Sequence, residues 1–280
     1  MLTFAVGFSP RIALAQAQAQ AQAEAVTSYP SRYTERPLTL PALHLRVEPQ
    51  VSLWISNAGS EDEVVLVLLN GGVGFGIIDD LEVGLGTSPI APLMASASFQ
   101  GGLAGLGGAL TPAFVRGFLS PTFYARYRFA ALPQLEAGLE LAVAVPANGR
   151  DVGIIFGVPL RVRGGDHFAL DASVTGLVVP ADDDVYGVLL LTLMPRFAWD
   201  TFYVGLNTGV MVPLDYPEDT HIPLLFEAGA TLPVGAAVLD TYVRAGLPFF
   251  VNPGADGDKV VTELWELSFG VRAHIGLGAD

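Results

Sequence analysis

Charged side chains at every second position of otherwise apolar stretches are the residues of this sequence best placed to do chemistry. They comprise eight arginines and eight acidic residues, and His274 falls on the same side of its stretch. These charged residues are Arg46, Glu48, Glu82, Arg126, Arg128, Glu136, Glu140, Arg161, Arg163, Asp171, Arg196, Glu227, Asp240, Arg244, Glu266 and Arg272. Equal numbers of guanidinium and carboxylate groups favour ion pairs on one nearly neutral face. A turn at residues 131–133 predicts one such pair between Arg128 and Glu136.

The last three apolar stretches carry the richest group of these charges. Folding the chain at residues 234–235 places Glu227 opposite Asp240, or one pair away from it. Two carboxylates at such a short distance would hold a proton or a cation between them, unless Arg244, Arg272 or His274 lies between them and pairs with them. Two interpretations follow: a station for a solute or ion, and a structural ladder of charges. The ladder is favoured, because a polar interior needs such pairing to satisfy its buried groups.

Motifs for catalysis or metal binding do not account for these residues. The four histidines occur without an HExxH pattern, the chain has no cysteine, and no GxSxG elbow is present. The sequence therefore predicts no enzyme, no cofactor and no metal site. Acidic clusters are weak cation candidates, although solvated loop charge explains them better. These candidates are Asp182, Asp183, Asp184, Asp256 and Asp258.

The stretch at residues 264–277 shows what kind of element positions the charges. Its apolar residues alternate from Trp265 to Leu277, while Glu266, Arg272 and His274 lie on the opposite face. This period of two predicts a β-strand. A half-buried strand of a soluble sheet is seldom so long, whereas a strand that crosses a bilayer needs about nine to eleven residues plus its rims. The apolar face is therefore predicted to meet lipid.

The composition favours the same conclusion. Hydrophobic residues make up 51% of the 280, charged residues only 15%, and the mean hydropathy is +0.48. This is too apolar for most soluble domains of this size. The long uncharged run at residues 83–115 contains Pro89, Pro92 and Pro112, which would interrupt a helix. A closed β-barrel is the other architecture that satisfies every backbone hydrogen bond in lipid.

About twelve strands are predicted, joined alternately by tight turns and longer connections, as in antiparallel transmembrane barrels with short periplasmic turns and longer extracellular loops. They lie at residues 43–53, 65–77, 81–87, 122–130, 135–145, 152–163, 167–179, 186–199, 202–214, 222–232, 239–251 and 264–277. The net charge of −14 falls mainly in the longer connections, so one end is acidic. An acidic end excludes a nucleic-acid partner.

Three regions follow from this pattern. Residues 1–26 contain an apolar start and an Ala/Gln repeat with small residues, which predicts a signal peptide, with a low-complexity arm as the alternative. Residues 27–42, which contain three prolines, are predicted to be an irregular lead-in. Residues 43–280 are predicted to form the transmembrane β-barrel.

The segment at residues 43–277 resembles the porin-like outer-membrane β-barrel proteins of Gram-negative bacteria. The resemblance rests on the alternating strands, the turn at residues 79–82, a final strand like an assembly signal, and outward aromatics near the turns. These aromatics are Phe75, Phe129, Phe168, Phe197, Trp199 and Phe202. The final strand departs from that family in lacking a terminal aromatic residue. The resemblance implies the cell outer membrane, with lipid and lipopolysaccharide as partners.

Three functions are compatible with such a barrel. The first is a narrow passive channel or transporter for ions or small solutes, lined by the charged residues and His274. The second is a non-conducting barrel whose acidic loops bind cations, lipopolysaccharide or a partner protein. A lipid-modifying enzyme ranks third, because it would need Ser and His together on the lipid face near the rim, whereas all four histidines are predicted to face inward. The sequence does not choose between a monomer and an oligomer.

The connection at residues 88–121 differs from the others in being long and apolar. It could fold into the barrel mouth, extend the neighbouring strands, or lie against the outer leaflet. If it folds inward, its large apolar residues form a constriction. These residues are Leu93, Met94, Phe99, Leu103, Leu106 and Leu110.

Overall fold

A computed structural model describes residues 29–56, 64–86, 122–144, 152–180, 185–215, 217, 220–252, 259–260 and 264–278. Within these ranges the chain forms one 3-10 turn, Tyr33–Glu35, and thirteen strands. The strands are β1 (His44–Ser56), β2 (Val64–Ile78), β3 (Leu81–Gly86), β4 (Thr122–Ala131), β5 (Leu135–Ala144), β6 (Gly153–Arg163), β7 (Phe168–Pro180), β8 (Val185–Ala198), β9 (Phe202–Pro213), β10 (Ile222–Val234), β11 (Ala237–Asn252), β12 (Lys259–Val260) and β13 (Leu264–Gly276). No helix in the described ranges is long and apolar enough to cross a membrane.

Twelve of these strands close into an antiparallel barrel. Each strand from β1 to β11 pairs with the next in the chain, β11 pairs with β13, and β13 pairs back onto β1. The two-residue strand β12 pairs with β11 alone and lies outside the ring. Closure removes the unpaired edges that an open sheet would present. The predicted barrel and its twelve strands are confirmed.

Burial alternates along the strands with the predicted period of two. On β10, Leu225 is fully buried, Phe226 is 60% exposed and Glu227 is 2% exposed. The same alternation places large apolar side chains outside and charged ones inside along β4, β6 and β13. An exterior of this kind, made of aromatic and branched aliphatic residues, is the surface that a transmembrane barrel presents to acyl chains.

A charge on this outer surface should destabilise the barrel according to its depth. We expect Phe226→Arg, near the middle of β10, to cost about 2 to 4 kcal/mol of folding free energy in a bilayer. Leu232→Arg, close to the end of the same strand, should cost only about 0 to 1 kcal/mol. Urea titrations of both variants in phospholipid vesicles measure the difference. Equal losses would contradict a membrane belt centred on this part of β10.

The short turns gather at one end of the barrel. They lie between β2 and β3, β4 and β5, β6 and β7, β8 and β9, and β10 and β11, and each contains two to four residues. The described chain enters β1 at this same end, because Leu43 donates its amide hydrogen to the carbonyl of Gly76, close to the β2–β3 turn. This end, which we call the short-turn mouth, is the one that the incoming N-terminal segment meets.

Candidate functional site

The lumen is where the structure places every charged residue that the sequence singled out on a strand, together with His274. Fourteen of these seventeen side chains are buried in the lumen, each no more than 6% exposed. The buried ones are Arg46, Glu48, Glu82, Arg126, Glu136, Arg161, Asp171, Arg196, Glu227, Asp240, Arg244, Glu266 and Arg272, and His274 is buried beside them. Arg128, Glu140 and Arg163 lie nearer water, with 11% to 15% of the side chain exposed. The lumen wall is thus a dense layer of charge.

One chain of ion pairs runs along the wall from β6 to β11, with residues from five strands. Arg161 bonds both oxygens of Asp171, at 2.5 and 2.9 Å. Asp171 also accepts a bond of 2.8 Å from Arg196, which reaches Glu227 at 3.2 Å. Arg244 donates to the other oxygen of Glu227 at 3.0 Å. Each inner carboxylate is therefore shared by two guanidinium groups, which offsets the cost of burying it.

A second set of pairs covers the opposite wall, from β13 round to β5. The pairs are Arg272 with Glu48 at 2.6 Å, Arg46 with Glu82 at 3.0 Å, and Arg126 with Glu140 at 2.5 Å. The predicted pair between Arg128 and Glu136 forms at 3.2 Å, although the register sets Arg128 opposite Gly138.

The predicted closeness of Glu227 and Asp240 is wrong. The β10–β11 hairpin turns at residues 235–236, so that Glu227 faces Arg244 and Asp240 faces Thr231. The hairpin turns one residue later than predicted, and the two carboxylates consequently lie in different parts of the wall. Each has its own arginine, since Asp240 is bonded by Arg36. No paired-carboxylate station for a cation exists at this point.

Residues 29–42 lie inside the short-turn mouth, and we call them the plug. Their large side chains are buried, with Tyr33 5%, Leu38 3% and Leu40 2% exposed. Tyr29 stacks on His274 with ring centroids 4.0 Å apart, and Tyr33 lies against the guanidinium of Arg196 at 4.6 Å. The prolines of this segment predict an irregular structure, but nothing in its sequence pattern predicts that it enters the lumen.

Arg36 is the most deeply anchored side chain of the plug. It bonds both oxygens of Asp240, at 2.5 and 2.8 Å, and donates a third bond to the hydroxyl of Thr231 at 3.1 Å. Burial works against the charged guanidinium, but the Asp240 carboxylate outweighs it and raises the pKa of Arg36. Burial also raises the pKa of Tyr29 to about 12, so its hydroxyl is neutral at physiological pH. The plug thus brings one buried positive charge into the lumen.

The turns of the mouth hold the outer side of the plug. The hydroxyl of Thr34 donates to the carbonyl of Asp166 at 2.8 Å, and that of Thr39 donates to the carbonyl of Asp79 at 2.7 Å. Arg32 pairs with Asp200 at 2.7 Å, where both groups are partly or largely exposed. Three different turns therefore contact the plug, which runs round the inside of the mouth before joining β1.

Two kinds of glycine shape this end of the lumen. Gly229 and Gly270 lie directly opposite Tyr203 and Tyr242, whose rings cover them, so a Cβ at either position would overlap a ring. Gly76 instead faces the plug. A Cβ there would overlap the carbonyl oxygen of Pro41 and lie 2.7 Å from that of Leu40. Gly76 is therefore the wall position that lets the plug backbone approach.

Comparison with solved structures finds this architecture among outer-membrane proteins. An outer membrane channel from Pseudomonas putida F1 is 12% identical, with a TM-score of 0.50 over 85% of this chain and 96% of the channel. The chain folds as an outer-membrane β-barrel. The translocator domain of the autotransporter NalP from Neisseria meningitidis is 10% identical over 97% of this chain and 99% of that domain, at a TM-score of 0.41. No protein-family model and no curated protein matches the sequence.

The far half of this outer-membrane barrel has a different lining on one wall. Tyr124, Ala142, Ile155 and Leu177 are direct cross-strand neighbours on β4 to β7, and all four are buried. Next to them, the hydroxyls of Ser173, Thr175 and Thr192 form a short bonded row, with oxygen separations of 2.6 and 3.4 Å. The lining of this wall therefore passes from charged groups at the short-turn mouth to hydroxyl and apolar groups beyond.

Other predicted sites fall outside the described residues. These include the constriction residues Leu93, Met94, Phe99, Leu103, Leu106 and Leu110, and the acidic candidates Asp182, Asp183, Asp184, Asp256 and Asp258. Among the described residues, no three His, Asp or Glu side chains are grouped to hold a metal ion. What sequence reasoning missed is the plug. Its available signal was the content of residues 29–42, which include two tyrosines, two arginines and two leucines.

Proposed function

We propose that this barrel is an outer-membrane channel for ions or small solutes, closed at its short-turn mouth by the plug. The observation that carries the proposal is the way in which the plug is held. Among the described residues, every hydrogen bond between residues 29–40 and the wall uses at least one side-chain atom. Such bonds can be exchanged for bonds to water or ions while the backbone ladder of the barrel stays closed.

The lumen walls support passage of small polar solutes through the opened mouth. With the plug displaced, the mouth would be lined by arginines and acids in nearly equal number, already paired with one another across the wall. A lumen with paired charges attracts neither cations nor anions strongly. We therefore expect weak charge selectivity. The structurally similar protein from Pseudomonas putida F1 is itself an outer membrane channel, which agrees with the proposed role as a channel.

A wall substitution that leaves the plug sequence unchanged tests the gate. Gly76→Ala places a methyl group against the carbonyls of Leu40 and Pro41, so the plug should be pushed off the wall. We expect planar-bilayer recordings of refolded protein to show at least a tenfold rise in mean conductance over the unmodified chain.

Gly276→Ala is the matched control for this experiment. Gly276 lies at the same end of the barrel, but the nearest atom to an added Cβ is 3.6 Å away, on His44. Its conductance should equal that of the unmodified chain. If Gly76→Ala also conducts no better, the barrel is closed by something other than the plug, and the non-conducting surface role becomes the better explanation.

A further inference from the structure

The wall of the short-turn mouth binds the backbone of the plug more than its side chains. Arg161 donates to the carbonyl of Arg36 at 2.7 Å, and Arg126 donates to the carbonyl of Leu38 at 3.2 Å. Arg163 reaches the carbonyls of both Thr34 and Arg36 at 2.7 Å. These groups recognise peptide oxygens, which every residue carries.

Buried acids recognise the amide hydrogens in the same segment. The amide of Leu38 donates to Glu136 at 2.5 Å, and the amide of Leu40 donates to Glu82 at 3.0 Å. Both carboxylates are buried, at 6% and 1% exposure. Arginines on β4 and β6 therefore bind carbonyl oxygens of the plug, and acids on β3 and β5 bind its amide hydrogens. A peptide-binding groove recognises the backbone of its ligand in the same way.

Two side-chain positions add selectivity to this backbone recognition. Asp240 and Thr231 form a slot in which the carboxylate binds a guanidinium through two parallel bonds. Thr231 also donates to Asp240 at 2.7 Å, which fixes the carboxylate in that orientation. Two positions further along, Leu38 packs on the buried Met194. The site thus favours a basic residue followed, two positions later, by an aliphatic one.

We propose that the short-turn mouth is a binding site for oligopeptides that carry a basic residue, and that the plug occupies it as an intramolecular ligand. This inference rests on the proposed function, because a peptide can enter only when the plug leaves. The tethered plug has an effective concentration of the order of millimolar, so a free peptide competes poorly until the plug is weakened.

Fluorescent peptides added to a full-length variant with a weakened plug test the proposal. Arg36→Asp sets a carboxylate against Asp240 and frees the slot. The first peptide has the sequence of residues 34–41, TERPLTLP, and the second, AARPLALP, keeps only the arginine, the leucines and the prolines. Two matched controls are the first peptide with both leucine amides N-methylated, and the first peptide with norleucine in place of arginine.

We expect saturable binding of both arginine peptides, measured by fluorescence anisotropy, with affinities within about tenfold of each other. Each control removes charge-assisted hydrogen bonds and should bind at least tenfold more weakly than its parent. Binding of TERPLTLP alone would overturn the proposal, since the site would then fit only its own plug. Equal binding of the N-methylated peptide, or no binding at all, would overturn it as well.

The same preparations separate this proposal from the proposed function. Conductance of the Arg36→Asp variant reports whether the plug is a gate, whereas anisotropy reports whether the vacated groups hold peptide. A conducting variant without peptide affinity leaves the channel standing and overturns the peptide site. If Arg36→Asp does not fold, the Gly76→Ala variant serves in its place, because it displaces the plug from the wall side.

Discussion

Replacing Arg36 by Asp is expected to convert a nearly silent barrel into a conducting one. The guanidinium makes three buried bonds to Asp240 and Thr231, and the substitution sets a second carboxylate beside Asp240. Breaking a buried pair by changing one partner costs about 3 to 5 kcal/mol. Because that cost falls on the plugged state alone, the ratio of open to plugged molecules should rise by about 100-fold or more. Single-channel recordings in planar bilayers measure this as open probability.

Arg32→Ala is the control from the same segment. Arg32 pairs with Glu35 at 3.2 Å and with Asp200 at 2.7 Å, but both partners are more than half exposed. Exposed pairs of this kind contribute little to stability, so the open probability should change by no more than about fivefold. A silent Arg36→Asp barrel that is correctly folded would refute the gate and favour a non-conducting surface protein.

The wall of the barrel could be predicted because its signals are local. From residue 264 onward, apolar and polar residues alternate, and the observed strand Leu264–Gly276 differs from the predicted one by a single residue. Lipid outside and charge inside require this alternation at each position of each strand. Turn lengths then fixed the order of neighbours, because consecutive antiparallel strands with tight turns pair with each other.

The plug could not be predicted, because its fold depends on contacts distant in sequence. Arg36 is 204 residues from Asp240, and Leu38 is 98 residues from Glu136. The segment has no periodic pattern to reveal which face is buried, and its prolines are typical of an exposed linker. These partners surround the plug only after the barrel has formed its short-turn mouth. The content of tyrosine, arginine and leucine was the one local hint that the segment packs against something.

The register of a hairpin could be predicted only in part, unlike the strands of the wall, which could be predicted, and the plug, which could not. The sequence placed both strands of the β10–β11 hairpin to within two residues but set the turn one residue early, which was enough to bring Glu227 near Asp240 instead of Arg244. The observed register sets Glu227 opposite Arg244, and it sets Asp240 opposite Thr231, where Arg36 of the plug bonds both. Electrostatics therefore selects the register that the apolar alternation alone leaves open, since a shift by two residues keeps every side chain on its face.

The second large expected effect is a loss of stability when one of the paired charges of the lumen is removed. Glu227 accepts bonds from Arg196 at 3.2 Å and from Arg244 at 3.0 Å, and it is 2% exposed. Glu227→Ala removes the acceptor that both guanidinium groups share. We expect a loss of about 3 to 5 kcal/mol in the free energy of unfolding. Urea titration in phospholipid vesicles, followed by tryptophan fluorescence and by the heat-dependent gel mobility of the folded barrel, measures it.

Two comparisons decide whether this loss reflects buried charge. Glu227→Gln keeps one oxygen acceptor and should lose less than the alanine variant. Glu140→Ala removes a carboxylate that is 11% exposed and bonded to Arg126, where water can take its place, so it too should cost less. Since Tyr33 of the plug lies against Arg196, Glu227→Ala should also raise the open probability. Equal stability losses in all three variants would mean that the paired lumen charges are not what holds the wall together.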